Sequence, residues 1–94
     1  MFNIEITPNN EIVLSGRLDA SQTEKAKEVL DKVIDSAVVS FKDLDYISSA
    51  GLGVLFAAQK RLRSSGKGLK LTQMNSHIRD VFRYARFELV FEIE

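Results

Sequence analysis

Two neighbouring hydroxyl groups, Ser48 and Ser49, are the side chains of this sequence best placed to do chemistry. They follow "AVVSFKDLDY", which predicts a buried strand, and precede "VLFAAQKRLRSS", which predicts a helix. A hydroxyl at the start of a helix can cap an unpaired backbone N–H group. A phosphate at the same place is stabilised by the positive end of the helix dipole. The pair therefore predicts either an ordinary helix cap or a site of reversible phosphorylation.

The residues after the two serines are small. Ala50, Gly51 and Gly53 keep side-chain bulk away from this helix end, so the backbone of a partner or the active site of a kinase can approach it. A glycine inside a helix costs up to about 1 kcal/mol relative to alanine. We therefore expect the cost of Gly53 to be offset, either by tight packing against the sheet or by access from outside. The spacing matches neither a phosphate-binding nucleotide loop nor a nucleophile elbow.

Composition and charge exclude several classes of site. The 94 residues contain no cysteine, which excludes disulfides and thiolate chemistry, and the single histidine is too few for a His-based metal site. Thirteen acidic and thirteen basic residues balance, so no positive excess is available for nucleic acid. No apolar run approaches the roughly 20 residues of a membrane span, and the N-terminus lacks the pattern of a signal peptide. We expect a cytoplasmic protein that is not an enzyme and has no metal, cofactor, nucleic acid or membrane as partner.

Hydrophobic periodicity predicts the elements that position the serines. Alternating apolar residues favour strands, and apolar spacings of three and four favour amphipathic helices. Two overlapping capping boxes, Asp19 with Gln22 and Ser21 with Glu24, leave the start of the first helix open by one turn. The predicted strands are 2–7, 11–18, 37–41, 69–72 and 87–94, and the predicted helices are 19–35, 49–63 and 75–85.

The order β-β-α-β-α-β-α-β predicts a single α/β domain over residues 1–94. Strand–helix–strand units make parallel neighbours, whereas the opening hairpin adds an antiparallel edge. The sequence therefore predicts a mixed five-stranded β-sheet with helices packed on it. Because the run at 37–41 is apolar on both faces, we expect it to be a central strand covered on both sides.

Three segments resemble the anti-sigma factor antagonists, small bacterial proteins of the STAS domain family. The first is "VLSGRLDAS" at residues 13–21, which is similar to the family's segment ending in Gly-x-Leu-Asp. The second, residues 38–75, contains "SSAGLGVL" and resembles the family's phosphorylation turn with its flanking strands and helix. The third, residues 78–93, is similar to the last helix and closing strand. The resemblance covers nearly the whole chain and implies a STAS-like domain.

The resemblance also implies roles for individual residues. The family's turn usually has the sequence Asp-Ser-Ser/Thr-Gly-Leu-Gly, in which the hydroxyl before Gly-Leu accepts the phosphate. Ala50 occupies that position here, Ser49 precedes it, and Ser48 occupies the acidic position. A shift of one residue makes Ser49 the expected acceptor, with Ser48 as the alternative. The partner-binding surface implied by the resemblance comprises Asp19, Ser48, Ser49, Ala50, Gly51 and Leu52.

In function, the resemblance implies partner switching. The unphosphorylated protein binds an anti-sigma factor that is also a serine-protein kinase, and phosphorylation ends the complex. A PP2C-type phosphatase restores the binding form. Because Ala50 has no hydroxyl, an alternative is a STAS accessory subunit that is not phosphorylated and binds a transporter ATPase or a signalling assembly. At "YARFEL" the family often has glycine where this chain has Arg86, so the last loop is expected to differ in shape.

Overall fold

A computed structural model describes all residues from Met1 to Glu94. Short 3-10 turns at Ala20–Gln22 and Phe87–Leu89 accompany the regular elements. No helix is both long and apolar enough to cross a membrane. The strands are β1 (Phe2–Ile6), β2 (Glu11–Leu18), β3 (Ala37–Ile47), β4 (Leu69–Thr72) and β5 (Glu92–Ile93), and the helices are α1 (Thr23–Leu30), α2 (Ser49–Arg63) and α3 (Ser76–Tyr84).

The five strands form one mixed sheet in the spatial order β1-β2-β3-β4-β5. β1 pairs antiparallel with β2, and the other three neighbouring pairs are parallel. This arrangement confirms the predicted sheet and its antiparallel edge. It also brings the carboxyl ends of β2 and β3 side by side, at the edge of the sheet where α2 begins.

A single cluster of 23 buried residues forms the core. On the sheet, Ile12, Val39 and Leu71 lie in register on three neighbouring strands, and each is fully buried. Side chains in register across parallel strands share one face, so this row marks the face on which the helices pack. α2 contributes Leu55 and Leu62 to the same cluster, and α3 contributes Phe82.

The other face of the sheet is less buried than the sequence predicted. Val38 lies in register between Glu11 and Lys70, and it is only half-buried. Lys70 on that face forms ion pairs with Glu92 at 3.8 Å and Glu94 at 3.2 Å. Long charged side chains such as that of Lys70 are compatible with a half-buried neighbour, because their hydrocarbon stems can lie along apolar surface. The expectation of a strand covered on both sides was therefore wrong.

The prediction of a strand over residues 87–94 is also wrong for most of that segment. Only Glu92–Ile93 pairs with the sheet, and residues Phe87–Leu89 form a 3-10 turn. The turn follows Arg86, whose φ of 62° lies in the left-handed region that favours glycine. Leu89, in the middle of the predicted strand, is 79% exposed.

An aromatic cluster explains this local structure. Phe87 stacks on Phe56 of α2, with ring centroids 5.3 Å apart, and meets Phe82 of α3 at 6.4 Å. Aromatic pairs of this kind add about 0.5–1.5 kcal/mol beyond their buried area. These contacts join residues distant in sequence, and they outweigh the strand-like alternation of the segment.

The first helix is shorter than predicted at both ends. α1 begins at Thr23 because Asp19 caps the preceding 3-10 turn instead of an α-helix. It ends at Leu30, where the guanidinium of Arg61 donates hydrogen bonds to the carbonyl oxygens of Leu30 and Val33, both at 2.9 Å. The last carbonyls of a helix lack intrahelical partners, so this arginine satisfies that of Leu30, binds the following turn at Val33 and joins α1 to α2.

Candidate functional site

The two serines lie at the junction between the end of β3 and the start of α2. Leu18 and Ile47, the last residues of β2 and β3, are in register, and the amide of Ser48 donates to the carbonyl of Leu18 at 2.9 Å. The loop that carries Asp19 therefore adjoins the serine turn, as expected for parallel neighbours. Residues about thirty positions apart in the sequence thus meet at the carboxyl ends of β2 and β3.

Ser48 is the N-cap of α2. Its backbone is extended (φ −93°, ψ 171°), and its Oγ accepts a hydrogen bond from the amide of Gly51 at 3.2 Å. Its carbonyl accepts the first helical hydrogen bond, from Leu52 at 2.9 Å. The side chain is half-buried. The hydroxyl of Ser48 is thus already engaged in holding the start of the helix.

Ser49 is the first residue inside α2, and it is exposed. Its hydroxyl has no hydrogen-bond partner within the chain, in contrast to that of Ser48. The first turn of α2 contains no acidic residue, so no carboxylate on the helix opposes an anion placed there. Ala50, which follows, is exposed as well. The structure therefore separates the two serines into a capping hydroxyl and a free hydroxyl.

The small residues of the turn have different surroundings. Gly51 is buried, and a Cβ there would lie 2.8 Å from Leu18 Cγ, 2.9 Å from Ile47 Cγ1 and 3.0 Å from the Leu18 carbonyl oxygen. Gly53 is exposed, and a Cβ there would meet nothing within 4 Å. Leu52 lies in the core at 5% exposure. Gly51 and Leu52 therefore shape the site from beneath, whereas Gly53 faces outward.

Asp19 presents a charged carboxylate beside the turn. Its Oδ1 accepts from the amide of Ser21 at 3.0 Å and from the Ser21 hydroxyl at 2.6 Å. The hydrogen bond from the Ser21 side chain is the main cause that lowers the pKa of Asp19 below its ordinary value of 3.8, and the charge of Arg17 acts in the same direction. The carboxylate is therefore ionised at neutral pH.

Arg17 and Tyr46 flank the site, and their contact with each other is not visible in the sequence motifs. They are in register on β2 and β3, and the guanidinium carbon of Arg17 lies 4.2 Å from the centre of the Tyr46 ring. A cation over an aromatic face contributes about 0.5–1 kcal/mol at exposed sites. Only the parallel pairing of β2 and β3 reveals this contact. It places Arg17, the residue before "LD", opposite Tyr46, the residue before Ile47.

Comparisons with known proteins agree with this geometry. Residues 2–91 match a family model described as "Mlab, STAS domain". A relative in Bordetella bronchiseptica, "Putative anti-sigma factor antagonist BtrV", is 35% identical over 82 residues, covering 87% of this chain and 70% of the relative.

Solved structures share the fold. TM1081 from Thermotoga maritima superimposes with a TM-score of 0.79 at 21% identity, covering 98% of this chain and 84% of that one. SpoIIAA of Bacillus in its phosphorylated form gives a TM-score of 0.71 at 18% identity, covering 100% of this chain and 91% of that one. The match over almost the whole chain confirms the resemblance that the three segments implied. The chain belongs to the STAS domain family, in the group of the anti-sigma factor antagonists.

Proposed function

We propose that this protein binds an anti-sigma factor, and that phosphorylation of Ser49 switches this binding off. The observation that carries the proposal is the position of Ser49, an exposed hydroxyl without a partner at the first residue of α2. Ser48 is the weaker candidate for the acceptor, because its Oγ caps the helix. Asp19 and Ala50, on either side of the turn, complete the surface that the anti-sigma factor contacts.

Electrostatics explains how one phosphate can end a complex without unfolding the domain. A phosphoserine adds about −1.5 to −2 charges and three acceptor oxygens. The N-terminus of α2 stabilises an anion through its dipole and its unpaired N–H groups. Across a packed interface the same charge must lose its water and is repelled by facing acids. A 100-fold loss of affinity requires only about 2.7 kcal/mol, which a poorly placed phosphate can supply.

The proposed partners follow from the family. The anti-sigma factor acts as the serine-protein kinase that modifies Ser49, and a PP2C-type phosphatase removes the phosphate and regenerates the binding form. The name of the Bordetella relative supports the antagonist role. The solved phosphorylated form of SpoIIAA supports a fold that tolerates the modification.

Ala50 favours a second candidate function. It occupies the position at which the family's acceptor hydroxyl usually stands, and it is exposed. In this alternative the domain is an accessory subunit that binds a transporter ATPase or a signalling assembly through the same turn, without phosphorylation. A pull-down from cells separates the two candidates, since the first predicts a sigma-regulating kinase and the second a transport ATPase.

The direct test is incubation with the cognate kinase and ATP, followed by mass spectrometric mapping of the phosphate. We expect a single phosphate on Ser49, its loss in Ser49→Ala, and its retention in Ser48→Ala. Ser48→Ala is the matched control, because it removes a neighbouring hydroxyl of the same turn. A phosphate found only outside Ser48 and Ser49 would refute the assignment.

A further inference from the structure

β1 lies at one edge of the sheet and pairs only with β2. Hydrogen bonds in an antiparallel ladder join alternate residue pairs, so they show which groups of β1 face its neighbour. Arg17 donates its amide to the carbonyl of Met1 at 2.9 Å, and Thr7 donates its amide to the carbonyl of Glu11 at 2.8 Å. In this register the odd-numbered residues of β1 bond to β2. The free edge therefore carries the N–H and C=O groups of Phe2, Ile4 and Ile6.

These outward-facing backbone groups make β1 a template for another strand. Lys25 Nζ donates to the carbonyl of Phe2 at 2.9 Å, which confirms the direction of that group. The remaining groups of the free edge have no hydrogen-bond partner within the chain. Because a carbonyl oxygen accepts two hydrogen bonds, the Phe2 carbonyl can take a further donor. Apart from Lys25, the strand lacks the devices that protect an edge, since its only charge is Glu5 and Pro8 follows its last residue.

The side chains of β1 fit a second copy of the same strand. Antiparallel pairing about a twofold axis at Ile4 uses the free groups of all three residues. On the face toward the helices, Ile4 then meets Ile4 of the second copy, and Ile6, which is 38% exposed, meets Phe2. On the opposite face, the exposed Asn3 lies opposite the exposed Glu5. An axis at Glu5 would instead place two carboxylates opposite each other, which is destabilising, and an axis at Asn3 would leave Ile6 unpaired.

We infer that two copies of this chain associate through antiparallel pairing of their β1 strands, with the twofold axis at Ile4, and thereby join their sheets into one. The edge is self-complementary, because each copy supplies the same donors, acceptors and apolar side chains. No residue of the serine turn takes part, so the inference does not rest on the proposed function. Because the paired strands run in opposite directions, the two serine turns lie at opposite ends of the joined sheet.

Amide hydrogen exchange, measured by NMR on the wild-type protein, tests the pairing residue by residue. In a single chain the amides of Ile4 and Ile6 have no partner, whereas those of Asn3 and Glu5 bond to β2. We expect exchange at Ile4 and Ile6 to slow at least about fivefold between dilute protein and about 1 mM, a range suited to a small interface. Asn3 and Glu5 should stay protected throughout. Sedimentation equilibrium on the same samples gives the dissociation constant of the dimer.

A charge at position 3 tests the register. Asn3→Lys places an ammonium opposite Glu5 of the second copy, whereas Asn3→Glu places a carboxylate there. We expect the dissociation constant of Asn3→Glu to exceed that of Asn3→Lys at least about tenfold, because the pair occurs twice across the axis. Ser65→Lys and Ser65→Glu, on an exposed turn after α2, change the net charge equally and should differ less than about twofold. Thermal unfolding verifies that all four variants are folded.

Three results would overturn the inference. A wild-type protein that stays monomeric up to about 1 mM leaves the edge to a strand of a different protein. A dimer in which the amides of Ile4 and Ile6 still exchange freely is held together by another surface. Equal dissociation constants for Asn3→Lys and Asn3→Glu exclude the register centred on Ile4. None of these results bears on binding of an anti-sigma factor, which the mapping of the phosphate tests separately.

Discussion

At the scale of single residues, the two adjacent serines differ in their hydrogen bonds. Ser48 Oγ holds the amide of Gly51, whereas the Ser49 hydroxyl is exposed and free. One side chain therefore belongs to the fold and the other is available to a partner. The sequence located both residues at the start of a helix, but it did not decide which was the cap. That decision depends on the extended backbone of Ser48, a conformation that no local pattern specifies.

Removing each hydroxyl in turn should separate these roles. Ser48→Ala should lower the free energy of unfolding by about 1 kcal/mol, because it removes the N-cap of α2. Ser49→Ala should change it by no more than about 0.5 kcal/mol, as expected for an exposed substitution. Urea unfolding measures both. An equal loss in the two variants would contradict the division between cap and free hydroxyl.

The Asp19 carboxylate gives a pH-dependent test. Hydrogen bonding from Ser21 lowers the pKa of Asp19 below its ordinary value of 3.8. The stability due to this contact is complete above the pKa of the unfolded chain and is lost as the pH falls through the lower pKa of the folded state. Ser21→Ala should move the pKa of Asp19 upward, as measured by NMR titration of the carboxyl carbon. Asp35, whose pKa is lowered by other neighbours, Ser36 and Lys67, is the internal control and should not shift.

At the scale of elements, α2 shows how much of the structure the sequence predicts. Its bounds, Ser49–Arg63, are those that apolar spacing predicts. β2 and β4 also match their predicted bounds. The segment at 87–94 fails because long-range aromatic contacts and the left-handed Arg86 determine it. Local periodicity carries information on amphipathic elements, but none on such distant contacts.

The two glycines at the start of α2 should respond to alanine in opposite ways. Gly51→Ala should destabilise the protein by about 1–3 kcal/mol, because its Cβ would overpack against Leu18 and Ile47. Gly53→Ala should stabilise it by up to about 1 kcal/mol, because the new methyl group meets no neighbour and alanine favours the helix. Thermal unfolding of both variants, compared with wild type, gives the two signs. Destabilisation by Gly53→Ala would show that this glycine has a structural role inside the fold.

At the scale of the whole molecule, the sheet positions the site and the helices cover one of its faces. Parallel pairing of β2 with β3 brings Asp19 to the serine turn. The mixed five-stranded sheet and its antiparallel edge followed from the predicted element order. The half-buried position of Val38 did not, because the apolar run at Ala37–Phe41 does not reveal that Glu11 and Lys70 lie beside it on the neighbouring strands.

Under the proposed function, phosphorylation of Ser49 should alter the contact surface and leave the fold intact. The measurement that tests this most directly compares protein phosphorylated at Ser49 with unmodified protein. Both the melting temperature and the dissociation constant for the kinase are determined for the two forms. The account predicts an equal or higher melting temperature for the phosphorylated form, together with an affinity at least about 100-fold lower. Unchanged affinity, or loss of affinity accompanied by unfolding, would contradict it.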